Sequence, residues 1–288
     1  MVDPGTGLTI LGGALGSKDL VVKILGPTAE YLGGGLANWT ERAVKNTGRV
    51  FEKAARKLGR QINQPGAVPP KVLKGILEEA PFCDDELGAE YFGGVLASSR
   101  SEVERDDRGA AFLALIGRLS SYQIRSHYFF YSVVRALYEG MAENLATLDG
   151  RQKLKTFVPM QSYALAMEFS GSENLDTILS HVMFGLSREA LIEPEFFCGD
   201  AKLMMTQHAG IRVPGIMFSP SALGVELFLW AHGKGTLNVN EILNPITTLT
   251  ADATITTAPG IRSVMFPDKT FPKNVQAADP LDGTTNRE

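Results

Sequence analysis

Apolar side chains return at three- and four-residue steps between positions 39 and 62: Trp39, Ala43, Thr47, Val50, Ala54 and Leu58. That spacing puts them on one arc of a helix. Arg42, Lys45, Arg49, Lys53, Arg56 and Arg60 fill the opposite arc, where Glu41 and Glu52 are the only acids. Proline and glycine between Gln64 and Pro70 break this helix and mark a linker. Residues 71–80 predict a short helix with Val72, Leu73, Ile76 and Leu77 inward. Asp84, Asp85 and Glu86 then open another, with Leu87, Tyr91, Val95 and Leu96 on one face. Carboxylates suit that position because the unpaired N–H groups and the dipole of a helix start favour negative charge.

Asp106 and Asp107 begin a helix through Phe112, Leu115, Ile116 and Leu119. Ser120-Ser121 reads as a turn and N-cap for a longer helix over residues 122–148. Its run from His127 to Tyr131 is aromatic on every side, a pattern expected of a buried or interfacial helix. After Asn174, the residues Leu175, Ile178, Leu179, Val182, Met183 and Leu186 predict an amphipathic helix ending near Arg188, followed by Leu191-Ile192. Residues 211–218 predict a strand, and Ser219-Pro220-Ser221 a cap for a last helix through Leu223, Leu227, Phe228 and Trp230. Helix, Leu-Ile, strand, strand and serine-capped helix follow the order of the second half of a winged-helix fold. Its recognition helix would carry Glu173, Asp176 and Glu189 against Arg188, the wrong sign for DNA. The predicted fold is therefore mainly α: a multi-helix body with a small winged-helix-like α+β unit toward the C-terminus.

Four segments follow. Residues 1–64 hold a glycine-rich lead and the basic helix, 65–150 a helical core domain, and 151–243 the winged-helix-like unit. Residues 244–288 form a Pro/Thr-rich, partly disordered tail in which 247–257 can add an edge strand. In the lead, each glycine costs a helix about 0.8–1 kcal/mol relative to alanine. A stable isolated helix is therefore not expected before Asn38. The lead either packs closely through its small residues or orders on a partner.

Net charge is -4 over 288 residues, so the whole chain has no bias toward nucleic acid or anionic lipid. The basic helix is the local exception. It is either the solvated outer face of a packed helix or a contact for a partner, an anionic membrane surface or a nucleic-acid backbone. Cys83 and Cys198 form no C-x-x-C pair and have no basic cluster beside them in sequence, which fits a reducing cytoplasm and inert thiols. A bilayer span needs about 20 apolar residues; Lys18, Asp19 and Lys23 interrupt the lead, and the run 213–225 is too short. Metalloprotease, nucleophile-elbow and phosphate-loop motifs are absent, and His127, His181, His208 and His232 have no metal-ligand spacing. No cofactor is implied, and the expectation is a chain that is not an enzyme.

Three blocks resemble the bacterial abortive-infection alpha family: V-P-P-K-V-L-K-G-I-L-E-E-A with D-D-E-L-G-A-E-Y-F-G-G-V-L-A-S (residues 68–99), the Leu175–Glu193 turn, and S-P-S-A-L-G-V-E-L-F-L-W-A-H-G (219–233). The lead over 25–37 is also similar. The likeness covers about residues 25–235; Tyr91 departs from a tryptophan common in the family, and the tail after Asn244 has no counterpart. The resemblance implies bacterial defence against phage and brings no catalytic residues. The expected function is a non-enzymatic antiphage protein in the cytoplasm, possible at the periphery of the inner membrane. It would act through a protein partner, self-association or an anionic membrane surface, with Arg42, Lys45, Arg49, Lys53, Arg56 and Arg60 as the contact. The alternative is a nucleic-acid-binding module using the same helix and the winged-helix-like unit.

Overall fold

The structure is a computed structural model describing residues 18–27, 41–103, 105–251, 253, 255–271 and 274–275. Gly33 to Gly35, Trp39 and the tail after Val275 lie outside the described residues. The described chain is mainly helical, with a small antiparallel sheet toward the C-terminus. It divides into two compact units: residues 1–128 with 222–241, and residues 129–221 with 242–288.

The first unit is helical. It contains α1 (Lys18–Leu25), α2 (Glu41–Leu58), α3 (Pro70–Glu79), α4 (Glu86–Ser98), α5 (Gly109–Arg118), the first half of α6 (Ser121–Tyr138) and α11 (Ala222–Ala231). α1 lies within the glycine-rich lead, where no isolated helix is expected: Val21, Ile24 and Leu25 are fully buried, and packing supplies what isolated propensity lacks. Pro69 and Pro70 start α3, where a missing N–H is harmless. The N-cap of α4 is Asp85, whose carboxylate accepts from the Gly88 N–H at 2.7 Å. Every residue of α4 from Leu87 to Ala97 is buried, so this helix is the axis of the unit. Gly93 and Gly94 make that possible. A Cβ on Gly94 would lie 1.9 Å from the Ala231 carbonyl oxygen, and one on Gly93 2.8 Å from that of Val50. Backbones of α11 and α2 thus approach α4 on two sides.

α6 begins with a reciprocal cap: Ser120 Oγ accepts from the Gln123 N–H, and Gln123 Oε1 from the Ser120 N–H. It ends at Tyr138, ten residues before the predicted end. Gly140 takes a φ of 80° and donates its N–H to the Leu243 carbonyl, turning the chain out of the helix. The unit boundary falls within α6, after Tyr128.

The second unit adds α7 (Leu148–Lys153), β1 (Thr156–Pro159), α8 (Met160–Met167), α9 (Leu175–Arg188), β2 (Phe197–Gly199), α10 (Ala201–Gln207), β3 (Gly215–Phe218), β4 (Ile255–Thr256), β5 (Arg262–Ser263) and β6 (Asn274–Val275). Its four-stranded sheet has the order β2-β3-β1-β5, with Phe157 opposite Met217 on one side and Arg262 on the other. Phe157, Met204, Ile211 and Met217 form a core beneath it. The strand expected over 211–218 is shorter than predicted, because residues 211–214 are loop. Ser221, immediately before the last helix, also donates its hydroxyl to the Ala190 carbonyl at 2.6 Å. The described part of the Pro/Thr-rich segment is built into the fold. Arg135 donates to the carbonyls of Ile242, Asn244 and Thr247, β5 joins the main sheet, and Ile261 and Phe271 are buried. The predicted edge strand reduces to the two residues of β4, paired with β6.

Candidate functional site

The basic arc of α2 faces the acidic start of α4. Arg42 pairs bidentately with Asp84, with its Nε 2.9 Å from Oδ1. Arg49 meets Glu86 at 2.8 Å and donates to the Asn46 side chain and the Cys83 carbonyl. Lys53 lies 3.2 Å from Glu86 and 2.8 Å from Glu90, and Lys57 is 2.5 Å from the second Glu90 oxygen. Arg42 and Asn46, through hydrogen bonds, hold the Asp84 carboxyl below its usual range, and Arg49 does the same first for Glu86. Glu90 is different because its side chain is only 5% exposed. Burial pushes its carboxyl up, yet Lys57 and Lys53 together hold it low. The same burial brings the Lys57 ammonium down despite its partner.

The six predicted contact residues therefore separate. Lys53 is buried and Arg49 half-buried, both turned toward carboxylates, so the expectation of an outward stripe is corrected for these two. At about 100° per residue their positions lie on the flank of α2 that packs on α4. Arg42 is exposed but paired with Asp84. Lys45, Arg56 and Arg60 are exposed. The outermost line of the helix alternates Glu41, Lys45, Glu52 and Arg56 and is mixed in sign.

A hollow of about 380 Å³ beside this seam is lined by Glu79, Cys83, Asp84, Asp85, Phe92 and Ile124. It gathers two of the acids that a hydrolytic site would need, but both are committed: Asp84 to Arg42 and Asn46, Asp85 to its helix cap. Burial pushes the Cys83 thiol up to about 11, with Asp85 adding to it, and nearby Arg49 does not reverse this. At neutral pH that sulfur is a thiol with little nucleophilic character. Among the described residues no three His, Cys, Asp or Glu side chains stand where they could hold a metal ion, and no helix is long and apolar enough to cross a membrane.

His127 is a fully buried structural group. Burial lowers its imidazole to about 3, so it is neutral, and Nε2 donates to the Gly224 carbonyl at 3.0 Å while Nδ1 accepts from the Tyr91 hydroxyl at 2.6 Å. One side chain thereby ties α4, α6 and α11 together.

In the second unit, α9 is capped by Asn174 and buries Leu179, Val182, Met183 and Leu186. Its outward face presents Thr177, Ser180, His181, Phe184 and Arg188. Phe184 is 67% exposed and meets the Phe196 ring edge-on, with centroids 5.5 Å apart. The periodicity already leaves Phe184 off the inward arc, and that is the signal by which it can be found in the sequence. No protein-family model, curated protein or solved structure matches this chain.

Proposed function

We propose that this chain is a non-enzymatic antiphage protein that binds a partner protein through the outward face of α9. The defence part of the reading rests on the sequence blocks that resemble the abortive-infection alpha family. The observation that carries the contact is Phe184: a large aromatic ring held two-thirds in solvent on a helix that is firmly packed beneath it. Aromatic side chains are enriched at interface centres because they bury much area for few rotatable bonds. The order β1, α8, α9, β2, α10, β3, with β3 between β2 and β1 in the sheet, supports a winged-helix-like unit in which α9 is the presenting helix. The occupant is a protein surface with an apolar recess for the ring and a polar rim for Ser180 and Arg188.

Lipid-surface and nucleic-acid contact both require an uncompensated cationic stripe. Arg49 and Lys53 are spent on Glu86 and Glu90, and α9 sets Asp176 against Arg188, so protein contact is the reading the charges favour. Phage challenge of a bacterial host expressing the chain tests both parts. Wild type is expected to lower plaque counts, and Phe184→Asp, which leaves the packed face of α9 untouched, to restore them at an unchanged melting temperature. Equal plaque counts with and without the wild-type chain would overturn the defence assignment. Full protection by F184D would remove the contact from α9.

A further inference from the structure

The second unit contains a cavity of about 720 Å³ where β1 runs into α8, within the range of small-molecule sites. Phe157, Pro159 and Met160 form one wall, and the loop with Val213 and Pro214 another. Two guanidinium groups, Arg212 and Arg262, line it, and among the described residues no Asp or Glu does. We propose that this cavity binds a small organic anion with a flat aromatic body, its phosphate or carboxylate held by Arg212 and Arg262 and its ring against Met160, Pro214 and Pro259. This assignment is independent of the α9 contact.

Arg262 is already positioned. It sits opposite Phe157 in the β1–β5 pair, its Nη2 donates to the Gly210 carbonyl at 2.6 Å, and its guanidinium carbon lies 6.0 Å from the Phe157 ring centroid. A side chain ordered in advance loses little freedom when a ligand arrives. Its fork keeps further N–H donors for an oxyanion. Arg212 is exposed at the mouth and makes no ion pair among the described residues. Guanidinium forks match phosphate and carboxylate oxygens in planar, two-point geometry. A bare hydrated phosphate would leave the apolar walls wet, whereas an aromatic body covers them and gains from burial. A neutral aromatic would leave both guanidiniums unanswered. The site therefore calls for both features in one molecule.

Titration calorimetry on the full chain tests this with adenosine 5′-monophosphate, 1-naphthoate, adenosine and inorganic phosphate. At least one of the two aromatic anions is expected to bind ten times tighter than adenosine and than inorganic phosphate, and the better of the two identifies the headgroup. Arg212→Ala is expected to weaken that probe at least tenfold with the melting temperature unchanged, since Arg212 packs against nothing it must hold. Failure of both anions to exceed adenosine and inorganic phosphate would overturn the assignment, as would wild-type affinity in R212A.

Discussion

Arg49 and Lys53 in the first unit, and Arg212 and Arg262 in the second, are cations of one chain whose net charge is -4. The first two look promising along the sequence, where they belong to a dense basic stripe, yet α4 answers them with Glu86 and Glu90. The second two stand fifty positions apart with no basic neighbourhood, yet the β1–β5 pairing and the loop after α10 bring them to one apolar cavity, where no described Asp or Glu lines the wall. Local charge density is thus a poor guide to available charge. What decides is whether the packed neighbour carries the opposite sign.

The largest expected effect lies in the first unit. Lys57, whose side chain is 4% exposed, pairs with Glu90. Glu90→Gln removes that charge and leaves a buried ammonium with a neutral neighbour, a loss of about 3–5 kcal/mol by analogy with broken buried pairs. Glu86→Gln, at a side chain 63% exposed, should cost less than about 1 kcal/mol. Urea unfolding of the two variants measures the difference. Equal midpoints would erase the distinction between a buried, compensated seam and an ordinary surface pair. Adding Lys57→Met to Glu90→Leu should recover much of the loss, because two apolar side chains of similar length need no partner.

Acid sharpens the same contrast. His127 titrates at about 3 in the folded chain and near 6.5 when exposed, so between those values the unfolded chain binds a proton that the folded one refuses. Stability should therefore fall as pH drops below about 6.5, by about 1.4 kcal/mol per unit. Glu90, held below its ordinary value of 4.5, adds a second loss in the same direction once pH passes beneath that value. Thermal melts from pH 7 to pH 5 check the slope: His127→Gln should flatten it, at some cost in stability at pH 7. A slope unchanged by that substitution would mean that acid sensitivity arises elsewhere.

These positions also show how much of the fold and of the candidate site could be read in advance. Periodicity located α2, α3 and α9 because each buries one face, the acidic start marked α4 although that helix is buried all round, and the caps at Asp85, Ser120 and Asn174 follow from the backbone's need for acceptors at helix starts. It missed the end of α6, since Gly140 stops that helix through a bond to Leu243, more than a hundred residues away. It missed the neutralised seam for a related reason: the stripe was read on one helix, and its acids belong to the next. The Gly93-Gly94 pair held a clue, because two adjacent glycines inside a helix are costly unless something packs closely against them. The arginine-lined cavity left no local trace at all, being assembled from two strands, the start of α8 and several loops.

The smallest expected effect concerns how the second unit ends its presenting helix. Past Arg188 the chain turns at Ala190, with φ of 55°, and Leu191 donates its N–H back to the Leu186 carbonyl at 2.7 Å. That six-to-one bond is the Schellman arrangement, and glycine is its usual left-handed residue because a Cβ there crowds the following carbonyl. The alanine is held in place by neighbours: Ser221 donates to its carbonyl, and Tyr131 donates to the carbonyl of Leu191. Ala190→Gly should therefore stabilise the chain by about 0.5–1 kcal/mol, the relief of left-handed strain less glycine's greater freedom when unfolded. Chemical denaturation detects a change of that size. Partner binding through Phe184, six residues earlier on α9, should be unaffected, because the turn keeps its hydrogen bonds. A destabilised A190G would show that the methyl group's packing outweighs the backbone strain, and that this turn is secured by its neighbours more than by its own geometry.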